Sequence, residues 1–303
     1  FTFLYHIIQV SHVVQVRAVY LLIVVPLGMV LLFNYQVIFN GIYHMFYRWD
    51  GDTVEEFIGL DYLRRVLADP DLLRSFYVVG IFVVANIVKM ILPILVAVVL
   101  HHVINDRIGY LYRILFVIPM IIPSMVGILI WKYFYEPNSG ILNGLLRLMG
   151  FIAPTDTVQW LSDPALVIPS LVFMGFPWVG AFGVLIYLAG LQGISEDIYE
   201  AADIDGAGPL TVFWRIELPL IMTQVRINLI LMIIGTIQSW ENIYLFLGID
   251  GGPDGIATVP GLMIFREAFS RGLFGYGCAI GFVIFLVTLV LTLINNKFVR
   301  VNK

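Results

Sequence analysis

The sequence predicts an all-α polytopic membrane protein with six transmembrane helices. Two bulk observations and one local one predict it. The chain of 303 residues is 60% hydrophobic and only 13% charged, whereas about a quarter of the residues of a typical soluble domain are charged. Uncharged apolar runs close to the ~20 residues that cross a bilayer recur along it. Polar stretches bearing glycine and proline punctuate those runs. The net charge of −4 argues against a nucleic-acid binder, which needs a basic face. The single cysteine, Cys278, lies in an apolar run, so there is no disulfide framework.

Each element follows from this pattern. The chain starts at Phe1 rather than Met, so the native start is expected upstream. Residues 1–17 show no basic leader and no small-residue cleavage site, so they do not read as a signal peptide. Their mixed Phe, Leu, Ile, His and Gln pattern suits a helix lying at the membrane interface. Span one covers 18–39. A polar loop, 40–75, extracytoplasmic if the termini lie inside, carries Arg48, Asp50, Asp52, Glu55, Glu56, Arg64 and Arg65. The remaining five spans, within a core of 76–298, are 76–100, 111–134, 165–191, 224–247 and 276–298. The loop 135–164 holds "EPNSG" and "LSDP", and the loop 249–275 opens on "DGGPDG", all turn chemistry. A short tail, 299–303, follows.

An even number of spans puts both ends on one side, and Lys and Arg near span ends choose it. Arg17, Arg107, Arg113, Arg215, Lys297, Arg300 and Lys303 stand on the side of the termini. Arg48, Arg64, Arg65, Arg74, Arg147, Arg266 and Arg271 stand on the other. The tally ties; the tail "NNKFVRVNK", with three bases and no acid, and the seven acids of the loop after span one tilt the termini inward. Pro93, Pro119, Pro123, Pro169 and Pro177 fall inside spans. Each removes a backbone donor and frees a carbonyl. That suits either a bent bundle lining a cavity or prolines merely tolerated in lipid.

One charged segment interrupts the oil: "YEAADIDGAGPLTVFWRIELPL", Tyr199 to Leu220. Ser195 fits a helix N-cap, with Glu196 and Asp197 in the first turn, where the helix dipole favours acids. Ile194, Ile198, Ala201 and Ala202 make a narrow apolar stripe opposite Glu196, Glu200 and Asp203. Gly206 offers a left-handed stop and Pro209 a break. A second apolar pattern, Leu210, Phe213, Trp214 and Ile216, leads into span five. Pattern alone leaves two readings, an amphipathic linker resting on its own protein or a docking knob for a soluble partner.

The segment resembles the "EAA" loop of type I ABC importer permeases, with Glu200, Ala201, Ala202, Asp205, Gly206, Ala207, Phe213, Ile216, Leu218 and Pro219 at the matching offsets. "RILFVIPMIIPS", "GFPWVGAF" and "GIDGGPDG" look like segments of the maltose-type carbohydrate-uptake branch, especially its first permease subunit. The resemblance covers most of the chain from Tyr112 onward, whereas the loop after span one matches nothing. It implies the type I permease fold in a bacterial cytoplasmic (inner) membrane, with termini and the loop 192–220 cytoplasmic. The first helix of that loop would couple to an ATP-binding cassette subunit. The implied partners are a second permease, two such ATPase subunits, an extracytoplasmic solute-binding protein and membrane lipid. ATP and Mg2+ would sit on the partner ATPase. None of Lys89, Lys132, Lys297 and Lys303 follows a glycine, so this chain has no phosphate loop, is not itself an enzyme and is expected to bind no cofactor.

Polar groups within spans are costly and often functional. The richest cluster is "QSWENIY": Gln238, Ser239, Trp240, Glu241, Asn242 and Tyr244. A sugar asks for carboxylate and amide partners to its hydroxyls and flat aromatic faces against its ring, and these residues offer both. The same side chains also suit inter-helix hydrogen bonding. The resemblance carries sugar contact onto Trp240 and Glu241, onto Met120 and Ser124 in "PMIIPS", and onto Gly175 and Trp178 in "MGFPW". Met120 and Trp178 depart from the branch's residue types, which points away from a malto-oligosaccharide. Lys89, mid-span, reads as snorkelling or as paired with Glu241 or with an acid of a partner. Arg226 reads as structural, and His101 and His102 as interface residues without metal spacing. Lys89 and Arg226 leave room for an acidic saccharide, and Glu241 opposes one.

The competing readings are an ABC permease for a phosphodiester or peptide, an ion-coupled secondary transporter and an intramembrane enzyme. The secondary transporter predicts half-to-half repeats, and none is apparent. The enzyme needs nucleophile–base or metal groupings in the spans, and Cys278 and the histidines have no such company in sequence.

Overall fold

The computed structural model describes residues 20, 22–102 and 106–298. The interfacial segment read at 1–17 and the tail at 299–303 lie outside the described residues. Helix α1 runs Leu22–His44, and strands β1 (Tyr47–Trp49) and β2 (Val54–Phe57) follow. Then come α2 (Asp61–Ala68), α3 (Pro70–Lys89), α4 (Ile91–His102), α5 (Asp106–Ile121), α6 (Ser124–Phe134) and α7 (Ile141–Leu148). Helices α8 (Pro164–Phe173), α9 (Ala181–Leu191) and α10 (Glu196–Ile204) precede α11 (Pro209–Leu220). The chain continues through α12 (Met222–Gln238), α13 (Glu241–Leu247), α14 (Pro260–Phe265) and α15 (Phe274–Phe298).

Among the described residues three helical stretches are long and apolar enough to cross a membrane, α1, α3 with α4, and α15, and up to six spans arise if each bent pair is one. Apolar side chains are exposed along the whole of α1, as a helix surrounded by hydrocarbon requires. Proline accounts for several of the interruptions. Pro93 follows the α3–α4 junction and Pro123 precedes α6, where α5 and α6 meet at 88°. Pro177 lies in the gap between α8 and α9, after a cis peptide bond. The stretch 165–191 is thus two helices, separated by the "MGFPWVG" segment. Pro119 and Pro169 remain inside α5 and α8.

The chain divides into two compact units. One comprises residues 1–68 and 267–282. Its antiparallel hairpin pairs Tyr47 with Phe57 and Arg48 with Glu56. Asp50 closes the turn by accepting from the Asp52 and Thr53 amides and the Thr53 hydroxyl. Those donors, the Asp52 amide first, hold its carboxyl below the usual range. Tyr62 packs edge-on against Tyr276, and Arg65 covers the same ring at 4.4 Å.

The second unit comprises residues 69–266 and 283–303. One apolar cluster joins Val78, Ile128, Val167, Leu171, Ile237, Phe246 and Leu262. A second, from Ala97, Leu100, Val184, Tyr187, Leu188, Leu191 and Ile221, ties α4 to α9 and to the entry of α12. The loop between α6 and α8 is built on the buried amide of Asn143 and on the half-buried Arg147. Asn143 donates to the carbonyls of Pro137 (2.8 Å) and Val158 (3.0 Å) and accepts from Trp160 Nε1 (3.1 Å). Arg147 donates to the carbonyls of Pro137, Asn138 and Asp156. Asn143→Leu leaves the half-buried Val158 carbonyl and Trp160 indole N–H without this partner, while the Pro137 carbonyl keeps Arg147; each lost bond costs ~1 kcal/mol. We expect a lower thermal midpoint for the purified protein and protease cleavage within 135–164; an unchanged midpoint would contradict this account of the loop.

Candidate functional site

The segment around the "EAA" motif forms an outstanding helix with a defined end. Ser195 occupies the N-cap position, but its hydroxyl donates to Asp197 Oδ2 (3.2 Å) instead of capping the backbone. At the other end Gly206 takes φ +69°. Its amide donates to Asp203 O (3.0 Å), and the Ala207 amide reaches back to Ala202 O (2.9 Å). These two bonds are the Schellman arrangement, and glycine supplies the left-handed backbone at low cost. Ala202 is buried beneath the helix, whereas Glu200, Ala201, Asp205 and Gly206 are exposed and Ala207 is half-buried. Within the expected apolar stripe, Ile198 remains exposed. Past the turn, Pro209 is the first residue of α11, where its missing amide costs nothing.

The anchor of this segment is a carboxylate. Glu217 is 1% exposed, while Leu210 and Trp214 of the second apolar pattern face outward. The Tyr199 hydroxyl, from α10, donates to Glu217 Oε1 (3.2 Å) and lies 3.3 Å from His101 Nε2. His102 Nε2, at the end of α4, closes on the same Glu217 oxygen. Burial first, and then the Glu217 charge, push the Tyr199 phenol above its usual range, so it stays protonated as a donor. A cavity of about 860 Å³ opens here, lined by His101, His102, Gln192, Glu196, Tyr199 and Glu217 among others. The histidines read as interface residues are therefore parts of a network joining α4, α10 and α11.

A second constellation joins α3, α12 and α13. A cavity of about 320 Å³ is lined by Phe82, Asn86, Lys89, Met174, Thr236, Ser239 and Asn242 among others. Asn86 Nδ2 donates to Thr236 Oγ1 (2.9 Å), whose hydroxyl donates to Met232 O (2.8 Å). Lys89 stands 5.6 Å from the centroid of the Trp178 ring. Trp178 has φ 58°, and its indole donates to Phe173 O (3.2 Å). Gly175, also at positive φ, belongs to the same gap between α8 and α9. Such a wall, mixed apolar and neutral polar with one cation, is that of a small-molecule site.

The expected sugar residues separate into groups. Asn242 lines the cavity and Trp178 faces the cation beside it. Trp240 instead stacks on Phe265 (4.6 Å, 23°), and Tyr244 tilts against the same ring. Gly261 lets Trp240 approach so closely. Glu241 is exposed in the first turn of α13, where the helix dipole suits an acid. Gln238, Met120 and Ser124 are exposed and do not line this cavity. Asn86, Thr236 and Glu217 were not singled out from sequence. An isolated acid beside Leu218-Pro219 was the available signal for Glu217, but nothing local pointed to His102. Asn86→Leu removes the bond to Thr236 and one polar wall group. We expect at least a fivefold fall in substrate affinity with assembly intact; unchanged affinity would remove Asn86 from the site.

Comparison with known proteins agrees with this architecture. Residues 89–301 match the family described as the binding-protein-dependent transport system inner membrane component. The chain is 28% identical to a probable ABC transporter permease protein, YurN, of Bacillus subtilis (strain 168), over 93% of this chain and 96% of that one. It is 32% identical to the trehalose/maltose transport system permease protein MalF of Thermococcus litoralis, over 82% and 81%. It is 30% identical to the diacetylchitobiose uptake system permease protein NgcF of Streptomyces coelicolor, over 88% and 77%. In fold it is similar to a chain of a bacterial ABC transporter involved in the import of the acidic polysaccharide alginate. The TM-score is 0.82 at 20% identity, covering 96% of this chain and 97% of that one. The chain belongs to the inner membrane components of binding-protein-dependent transport systems and has the type I ABC importer permease fold.

Proposed function

We propose that this chain is one permease half of an ATP-driven importer whose substrate is an oligosaccharide or other carbohydrate. A second homologous permease completes the pathway, two ATPase subunits bind ATP and Mg2+, and an extracytoplasmic binding protein delivers the solute. Both termini and α10 face the cytoplasm. The chain itself catalyses nothing, and the assembled complex hydrolyses ATP. The relatives that transport diacetylchitobiose and trehalose or maltose support the substrate class.

One observation carries the reading: an exposed, sharply terminated helix tied by Tyr199 and Glu217 to the ends of α4 and α11. A closing ATPase dimer that grips α10 displaces Tyr199. The network hands that displacement to α4 through His101 and His102, and α4 packs on α9 through Ala97, Leu100, Val184 and Leu188. The inner ends of the helices then move together, and the cavity at Asn86 and Asn242 changes the side to which it opens. Coupling of this kind needs a two-state bundle biased by nucleotide. Glu200 is exposed and meets a basic group of the ATPase, while Ala201, Ala202, Asp205, Gly206 and Ala207 shape the knob.

The test is uptake into vesicles holding this chain, its partner permease and the ATPase, with the binding protein outside. Uptake of a labelled oligosaccharide should require ATP. Glu200→Lys should cut uptake at least tenfold and weaken recovery of the ATPase with the membrane part. Uptake driven by an ion gradient without ATP, or wild-type behaviour of Glu200→Lys, would overturn the reading.

A further inference from the structure

The 320 Å³ cavity holds one feature that a neutral sugar does not ask for. Asn86, Thr236, Ser239 and Asn242 already supply amides and hydroxyls suited to a saccharide's own hydroxyls. Lys89 adds the one cationic side chain to that wall. Among the described residues no carboxylate forms an ion pair with it. Glu241, one of the counterparts expected for it, does not line the cavity. What faces the ammonium is the Trp178 ring, and a ring face attracts a cation without neutralising it. Lys89 also ends α3, where the helix carbonyls favour a cation. Both features hold the side chain in place and leave its charge without an acid among the described residues of this chain. A charge kept inside a span without an opposite partner is a functional feature by default.

We infer that the transported solute carries carboxylates: an oligosaccharide of uronic acids, with Lys89 as the residue that takes the carboxylate. The neighbouring amides and hydroxyls bind the sugar hydroxyls, and Trp178, outside the cavity lining, holds the ammonium in place. The assignment rests on the importer reading and names its substrate class. Lys89 is then a specificity-determining residue, and a neutral sugar of the same length leaves its charge unmet, which costs affinity.

The complete transporter in vesicles tests this with two probes, trigalacturonate and the neutral maltotriose. We expect ATP-dependent uptake of trigalacturonate and little of maltotriose. Lys89→Gln should lower trigalacturonate uptake at least tenfold, Lys89→Arg should keep most of it, and Lys89→Glu should abolish it. Elution of each variant with its partners on size exclusion separates a site effect from misfolding. ATP-dependent uptake of maltotriose in preference to trigalacturonate overturns the uronate assignment and leaves the importer reading standing. So does trigalacturonate uptake that ignores Lys89→Gln. Uptake of either probe that ignores ATP overturns the importer reading itself.

Discussion

Replacing Gly206 by valine is expected to cut ATP-driven uptake about tenfold while the membrane bundle stays folded. The cost is in the backbone. Gly206 sits at φ +69°, and a Cβ built there meets nothing within 4 Å. No steric clash with neighbours therefore contributes. A β-branched residue in the left-handed region costs roughly 1–2 kcal/mol, and each 1.4 kcal/mol is about a factor of ten in an equilibrium. Relief comes by unwinding the turn, which breaks the Ala207-to-Ala202 and Gly206-to-Asp203 bonds and lets the knob fray. Gly206→Asn is the matched control, because asparagine tolerates the left-handed region. It should transport nearly as well as the parent. The measurement is uptake per ATP hydrolysed in reconstituted vesicles, with circular dichroism for the bundle. Equal coupling for valine and glycine would mean that the shape of the turn plays no part in force transfer.

Replacing Glu217 by leucine should break the link between the knob and the bundle. Glu217 is buried, and its oxygen serves both Tyr199 and His102. The partners left behind are not deeply buried: the His102 side chain is 41% exposed and water reaches it. The stability cost is therefore at the low end for a lost buried hydrogen bond, about 1–2 kcal/mol. The functional cost should be larger, because α10 then moves without drawing on α4. We expect ATP hydrolysis to continue while uptake falls at least tenfold. Glu217→Gln keeps an acceptor for Tyr199 and should retain more activity, and Tyr199→Phe should fall between the two. If leucine lowered hydrolysis and uptake in equal proportion, Glu217 would be a packing residue and not a coupling one.

These two predictions differ in how far the sequence alone reached them. The knob was legible because its information is local. Asp205-Gly206-Ala207 behind an acid-led helix, followed by Pro209, is stop chemistry readable over a dozen residues, and the Schellman bonds are its outcome. The break within 165–191 was also written locally, in the glycines and Pro177 of "MGFPWVG", but high hydropathy across it reads as one continuous span. Hydropathy measures length in oil and is blind to backbone continuity. Trp240 and Tyr244 show what local pattern leaves out. Their residue types suit a sugar, and the structure adds Phe265, 25 positions beyond Trp240, stacked on one Trp240 face and tilted against Tyr244.

The sequence by itself determined the class of molecule, the membrane setting and the short, sharply ended helix α10, because hydropathy runs, caps and turn residues act over one or two helical turns. Only the tertiary structure decided which polar groups meet. Glu217 and His102 are 115 residues apart, and Asn86 and Thr236 are 150 apart. A buried hydrogen bond depends on distance in space, and no periodicity along the chain encodes which distant partner will satisfy it.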